Sequence, residues 1–127
     1  MIVKHPINVR RLRKVPRQFN WVDHRLVRER HIEKCTHSAA ALYLFLVTVA
    51  DAQGLSYYSD ASVMARLSMD EPIFVDARTN LIQAELIAYK KPLYQVLSLD
   101  MRPDTKRSAM DRPLSLSDIL KKAAGGR

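Results

Sequence analysis

Apolar residues along the chain cluster in short stretches with helical or alternating spacing, separated by polar turns. The longest stretch, AAALYLFLVTVA at 39–50, predicts a buried helix that begins at a Thr36 or Ser38 cap and ends near Gln53, before Gly54. Nearly every position in it is apolar, so the helix could lie at the centre of a domain or bury one side in a dimer contact. It is too short for a membrane span, which needs about 20 residues.

Weaker patterns precede this helix. Residues 1–19 show no sustained period and contain Pro6 and Pro16, so we expect an extended arm. Asn20 is a suitable N-cap, with Asp23 placed to reach the first free amides, and a helix from about Trp21 to Lys34 is predicted. Its apolar residues are few and its other face is basic.

After Gly54 the pattern alternates between strand and helix. Leu55–Ser59 predicts a short strand, and DASVMARL predicts a helix of about two turns, capped by Ser59 or Asp60. The turn Ser68–Pro72 follows, and Asp70 can cap a helix that extends to about Glu85. The residues that we expect to face inward from this helix are Phe74, Ala77, Leu81 and Ile82.

The domain ends in a predicted two-stranded hairpin. Ile87–Tyr89 and Leu93–Leu99 are predicted strands joined by a turn at Lys90–Pro92. Residues 101–127 form a polar tail, in which PLSLSDILKKAAGG could form a short helix capped by Ser115 or Ser117. The prediction is therefore a mainly α (α+β) protein: a helical bundle with a small β-hairpin at 20–100, between a basic arm at 1–19 and the tail.

Charge adds a second pattern. The formal net charge is +8, and residues 1–35 carry ten Lys/Arg against three acids, whereas residues 36–127 carry eleven against ten. A basic segment on a nearly neutral body favours contact with a nucleic acid or another acidic surface. A disordered, solvated tail is the alternative. The cations of the stretch RRLRKVPRQFNW are Arg10, Arg11, Arg13, Lys14 and Arg17.

The segment 57–89, YYSDASVMARLSMDEPIFVDARTNLIQAELIAY, resembles the winged helix-turn-helix of bacterial transcription regulators and of plasmid or phage replication-initiation proteins. Ser68 and Glu85 stand where that family usually has glycine. The resemblance implies a winged helix-turn-helix at 20–100 whose second helix enters the major groove of DNA. The positions that match are Val63, Met64, Ala65, Leu67, Met69, Phe74, Ala77, Leu81, Leu86 and Ile87.

The second helix of the motif is poorly charged for this task. Arg78 is its only base, and Glu71 and Asp76 would repel phosphates unless they read cytosine amines. We therefore expect the arm, the first helix and the hairpin turn to supply phosphate contacts, with Phe19 and Trp21 anchoring the arm on the core. The candidate DNA-binding residues are Arg10, Arg11, Arg13, Lys14, Arg17, Arg25, Arg28, Thr79, Asn80, Gln83, Lys90 and Lys91.

Catalytic and metal chemistry is not expected. His31, Cys35 and His37, with His24 nearby, could hold zinc, but a single cysteine and a predicted helix break favour capping or surface histidines. There is no glycine-rich phosphate loop and no catalytic carboxylate set, and Cys35 has no identifiable partner as a nucleophile. We expect no enzymatic activity and no cofactor.

Two functions remain open. The first is a DNA-binding protein, either a transcription regulator or an accessory factor for replication or a mobile element. It would bind double-stranded DNA as a homodimer. We expect it in the cytoplasm, at the nucleoid, because the charged start of the chain is not a secretory signal. The second is a winged-helix adaptor with no DNA contact, which would dock a protein partner on Ile73, Val75 and Asp76.

Overall fold

The computed structural model describes residues 2–100, so the predicted tail at 101–127 lies outside the described residues. The chain divides into two units, 1–97 and 98–127, and every helix and strand within residues 2–100 belongs to the first. The helices are α1 (Arg25–Arg28), α2 (His37–Val49), α3 (Asp60–Leu67) and α4 (Glu71–Gln83), with short 3-10 helices at Val9–Arg11 and His31–Lys34. The strands are β1 (Leu55–Tyr57), β2 (Ile87–Lys90) and β3 (Leu93–Val96). The predicted α+β class is confirmed.

The three strands form one antiparallel sheet in the order β1-β3-β2. Tyr57 pairs with Leu93 beside the turn of the β2–β3 hairpin, and Leu55 pairs with Gln95 farther from that turn. The backbone amide of Tyr58 also donates to the carbonyl oxygen of Pro92, at 3.3 Å. The hairpin turn is thereby attached to the end of β1 instead of projecting alone.

The core is formed by α2, α4 and the sheet. Helices α2 and α4 pack against each other, and a stripe of α2 at helical spacing is buried. Leu44 of α2 nevertheless remains 62% exposed, so this apolar helix is not buried on all sides. The largest fully buried side chains are Tyr94, Phe74, Leu42, Leu46, Leu81, Leu86, Ile87 and Val63.

The predicted long first helix is wrong. Only Arg25–Arg28 is α-helical, and Arg30 adopts a left-handed backbone conformation with φ 63° that separates this turn from the 3-10 helix His31–Lys34. Leu26 is the one buried residue of α1. A helix as short as the predicted Trp21–Lys34 is only marginally stable without tertiary packing. One buried side chain therefore gives too little support for the full predicted helix.

Helix α2 begins as predicted but ends earlier. The Thr36 hydroxyl accepts from the backbone amide of Ala39, whereas the last helical residue is Val49, not Gln53. Beyond it, a carboxylate oxygen of Asp51 accepts from the backbone amides of Gln53 and Leu55 at 2.8 and 2.9 Å. This local turn competes with continued helix because the side chain takes over backbone donors.

Gly54 is required by the sheet, and its predicted role at the end of the helix is wrong. Its φ is +87°, and a Cβ atom there would lie 2.6 Å from the carbonyl oxygen of Val96. The backbone amide of Val96 donates to the carbonyl oxygen of Gly54 at 2.8 Å. Glycine allows both the positive φ and the close approach to β3.

The remaining local predictions are largely confirmed. Ser59 and Asp70 cap α3 and α4, each accepting from a backbone amide three residues later. Of the four residues expected to face inward from α4, Phe74, Ala77 and Leu81 are buried, but Ile82 is 41% exposed. Helix α4 ends at Gln83 instead of Glu85, and β3 ends at Val96 instead of Leu99.

Ser68 and Glu85 both adopt left-handed backbone conformations, with φ 55° and 62°. Ser68 is the C-cap of α3, where its backbone amide donates to the carbonyl oxygen of Met64. A left-handed conformation costs a residue with a Cβ atom about 1 kcal/mol, whereas glycine adopts it freely. Ser68 and Glu85 thus adopt the backbone conformation that glycine favours, although neither is glycine.

Replacing Ser68 with glycine should therefore stabilise the protein. We expect Ser68→Gly to raise the free energy of unfolding by about 0.5–1 kcal/mol in urea denaturation, since relief of backbone strain outweighs the greater chain entropy of glycine. Ser62 lies inside α3, where the same substitution should lower stability by about 0.5 kcal/mol. Equal destabilisation by both substitutions would contradict the strained backbone at Ser68.

Candidate nucleic-acid interface

The arm is exposed along its whole described length, residues 2–19. Its only regular element is the 3-10 turn Val9–Arg11, in which the Asn8 side chain accepts from the backbone amide of Arg10 at 3.1 Å. Within residues 2–100, none of the arm's cations is paired with a carboxylate. The five predicted phosphate contacts, Arg10, Arg11, Arg13, Lys14 and Arg17, are therefore available to an external anion.

The arm is attached to the folded body by Asn20. The side-chain amide of Asn20 donates to the carbonyl oxygens of Thr48 and Ala50, at 3.1 and 2.8 Å. It thus satisfies acceptors that the C-terminal end of α2 leaves free. The expected anchoring of the arm by Phe19 and Trp21 is wrong, because these side chains are 61% and 70% exposed. Asn20 is also not an N-cap, because the next helix begins only at Arg25.

The two candidate bases of α1 differ in availability. Arg28 is exposed, whereas Arg25 forms a two-pronged ion pair with Asp23, with its Nη2 atom 2.7 Å from Oδ2. The same carboxylate accepts from the backbone amide of Arg25 at 2.9 Å. Hydrogen bonds from the side chain and backbone of Arg25 hold the pKa of Asp23 at about 2. Arg25 is therefore already neutralised within the chain.

On α4, Thr79 and Gln83 are exposed, together with the acidic residues Glu71 and Asp76. The side-chain amide of Asn80 is not free to contact a DNA base, because both of its polar atoms are hydrogen-bonded within the protein. Its Nδ2 donates to the carbonyl oxygen of Lys34 at 2.9 Å, and its Oδ1 accepts from the backbone amide of Thr36 at 2.7 Å. Asn80 thus fixes the segment that enters α2, and the exposed face of α4 carries acidic charge.

Arg78, the one base of α4, is directed into the protein and is 15% exposed. Its Nη1 atom donates to a carboxylate oxygen of Asp60 at 2.9 Å and to the hydroxyl of Tyr94 at 3.0 Å. Its guanidinium also lies 4.8 Å from the ring centre of Phe74 and 4.2 Å from that of Tyr89. Burial opposes its charge, but the hydrogen bonds to Tyr94 and Asp60 prevail and the pKa of Arg78 is raised.

Sequence reasoning missed this role, although a signal was present. Phe74, Ala77, Arg78 and Leu81 follow the spacing of a single helix face, and the other three are buried. An arginine in such a stripe needs a partner because a buried charge is costly when unpaired. A further exposed base that the sequence reasoning did not select is Arg66, in the last turn of α3.

The hairpin turn carries two exposed lysines, Lys90 and Lys91, and neither pairs with a carboxylate within residues 2–100. They lie at the end of the sheet where Tyr57 pairs with Leu93. Asn20 contacts Ala50, and the adjacent Asp51 bonds to Leu55 at the other end of β1. The free cations of the arm and of the hairpin therefore originate from opposite ends of the sheet.

The described residues offer no metal centre: within residues 2–100, no three His, Cys, Asp or Glu side chains form a group that could hold an ion. Burial raises the pKa of the Cys35 thiol, although the charge of Lys34 acts in the opposite direction. A raised pKa disfavours the reactive thiolate. None of the helices within residues 2–100 has the length and apolarity of a membrane-spanning segment.

Comparison of the chain with protein-family models, with curated protein sequences and with solved structures gives no match.

Acid titration should reveal the Asp23–Arg25 pair. An aspartate at its ordinary pKa of 3.8 in the unfolded chain and about 2 in the native protein stabilises the fold above pH 3.8, and this contribution is lost as pH falls through about 2. We expect the side-chain carboxyl ¹³C shift of Asp23 to titrate near pH 2. Arg25→Gln should move the midpoint toward 3.8, whereas the control Arg28→Gln should move it little. A native midpoint near 3.8 would exclude the pair in solution.

Arg78 should matter for stability. We expect Arg78→Met to lower the free energy of unfolding by about 2–3 kcal/mol, because it leaves the Tyr94 hydroxyl buried without its partner and removes the cation–π contacts. The control Arg66→Met replaces an exposed arginine and should change stability by less than about 0.5 kcal/mol. Chemical denaturation of both variants, and of Arg78→Met combined with Tyr94→Phe, measures the coupling. Equal midpoints for Arg78→Met and the unmodified protein would contradict this role.

Proposed function

We propose that this protein is a winged helix-turn-helix DNA-binding protein. The order α2-β1-α3-α4-β2-β3 and the sheet order β1-β3-β2 support this fold, with α3 and α4 as the helix-turn-helix and the β2–β3 hairpin as the wing. The left-handed Ser68 and Glu85 add support, because these are the positions at which the family usually has glycine.

The observation that carries the DNA proposal is the set of exposed, unpaired cations on the arm and wing. Five lie between Arg10 and Arg17 and two at the wing turn, and no carboxylate within residues 2–100 neutralises them. Neutralising phosphates with Lys and Arg releases counterions, which is the main source of non-specific affinity for duplex DNA. A polyanion is the partner that such a distribution favours.

The arm is long enough to reach the DNA from its attachment at Asn20. The ten residues from Arg10 to Phe19, which include the candidate phosphate contacts, could span up to about 35 Å when extended, compared with about 34 Å for one turn of duplex. The separation of the arm and wing at their roots therefore does not prevent both from contacting one duplex. The arm would follow the backbone or enter a minor groove.

In this proposal α4 contributes little phosphate affinity. Arg78 is engaged with Asp60, Asn80 holds backbone groups, and Glu71 and Asp76 are acidic. Thr79 and Gln83 remain exposed and are the residues of α4 that could contact a phosphate or an adenine edge. We accordingly propose a protein that grips DNA chiefly through its arm and wing, as a transcription regulator or as an accessory factor for replication or a mobile element.

A second function is favoured by the outer face of α4. Ile73 and Val75 are exposed there next to Glu71 and Asp76, so the surface is partly apolar and acidic. Such a surface suits a protein partner better than a phosphate backbone. An adaptor of this kind would keep its partner at high salt and after nuclease treatment.

The salt dependence of duplex binding tests the first proposal. Seven phosphate contacts from the arm and wing predict a slope of about −6 for log K against log salt concentration. Replacing Arg10, Arg11, Arg13, Lys14 and Arg17 with glutamine in the full chain should reduce the magnitude of the slope by about 4–5. Replacing Lys90 and Lys91 should reduce it by about 2. Fluorescence anisotropy with a labelled random duplex measures all three.

The matched control is Arg30→Gln, which removes one exposed cation that already pairs with Glu33 at 3.7 Å. Its slope should equal that of the unmodified protein. Weak duplex affinity of the unmodified protein that does not change with salt concentration would exclude DNA binding. A protein partner retained at high salt would favour the adaptor.

A further inference from the structure

Two aromatic side chains flank the residue that attaches the arm, and both face solvent. Phe19 and Trp21 are among the most exposed large apolar residues of the folded body and its arm attachment, although aromatic side chains usually bury 150–250 Å² each. Within residues 2–100 neither ring contacts another aromatic ring. By contrast, Phe45 packs on Tyr58, and Tyr89 packs on Tyr94. Most of the surface of Phe19 and Trp21 is therefore accessible to a ligand.

These rings project from a fixed point of the backbone. The Asn20 side chain is turned toward α2, where it makes two hydrogen bonds to carbonyl oxygens. Its neighbours on both sides are turned to solvent. The ordering of the backbone between the two rings is thus part of the fold, which lowers the entropy cost of binding a ligand there.

The chain on the N-terminal side of the rings is strongly basic. Arg13, Lys14 and Arg17 lie within eight residues of Trp21, and the first acidic residue in the sequence is Asp23. That carboxylate is already paired with Arg25. Exposed rings next to unneutralised cations match a ligand that carries both flat apolar faces and negative charge.

We propose that Phe19 and Trp21 form a stacking site for unpaired bases of single-stranded DNA, with Arg13, Lys14 and Arg17 contacting the adjacent phosphates. Proteins that bind single strands combine a basic groove with aromatic side chains on which bases stack. In a duplex the base faces are covered by their neighbours, so duplex DNA offers phosphates to the arm but no open base to these rings. The site goes beyond the proposed duplex binding and does not require it.

Trp21 is the only tryptophan of the chain, so its fluorescence reports on this site directly. We expect an oligothymidylate of about 12 nucleotides to quench the Trp21 fluorescence of the full-length protein, while a duplex of similar length binds without comparable quenching. Anisotropy of labelled oligonucleotides gives the affinities. Phe19→Ala and Trp21→Ala should each weaken binding of the single strand about tenfold and leave duplex affinity unchanged.

Two controls separate stacking from a general loss of apolar surface. Trp21→Phe retains an aromatic face and should keep most of the single-strand affinity that Trp21→Ala loses. Tyr57→Ala removes an equally exposed ring on β1, beside the hairpin turn, and should leave single-strand affinity unchanged. Circular dichroism of each variant establishes that the fold is retained.

Several results would overturn the stacking site. Binding of the single strand without quenching would mean that the arm contacts phosphates alone. Equal losses of single-strand and duplex affinity in Trp21→Ala would assign Trp21 to the duplex contact. Quenching by anionic lipid vesicles but not by the oligothymidylate would assign the two rings to a membrane surface. None of these results would by itself exclude duplex binding, which the salt dependence tests separately.

Discussion

The largely buried side chain of Arg78 holds α4 to its neighbours through two hydrogen bonds and two contacts with aromatic rings. Its guanidinium bonds to Asp60 at the start of α3 and to Tyr94 of β3, and it lies over Tyr89 of β2. One side chain therefore connects two helices and both strands of the hairpin. An arginine suits this position because its planar group can donate several hydrogen bonds while stacking on aromatic rings, which lysine cannot do equally. Because Arg78 is the only base of α4, the outer face of this helix carries no free cation.

The consequence is that the exposed cations of the arm and hairpin turn are separate from the outer face of α4. The outer face of α4 is acidic and partly apolar, whereas the arm and the hairpin turn carry exposed cations that have no carboxylate partner among residues 2–100. Because phosphate neutralisation dominates the affinity of most DNA-binding proteins, affinity for DNA would have to come from these peripheral elements. Asn20 then becomes important, since it is the point at which the basic arm meets the folded body.

Local signals predicted several elements correctly. Thr36, Ser59 and Asp70 cap α2, α3 and α4 because a side-chain oxygen close in sequence can satisfy a free amide of the first turn. The inward stripe of α4 was likewise readable from its helical period, except at Ile82. For the candidate site, the sequence indicated that the arm cations are concentrated in one segment, and the structure places them in solvent with no carboxylate partner among residues 2–100.

The amino-acid sequence by itself determined the charge of the arm, the apolar α2 and the capped starts of the helices, because these depend on residue type and on neighbours within one turn. The tertiary structure alone decided how Asn20, Asn80 and Arg78 are used. Asn20 bonds to groups 28 and 30 residues away, and Asn80 to groups 44 and 46 residues away. An amide is an equally good cap, base reader or internal clamp. Only the folded chain determines which hydrogen-bonding partner it meets.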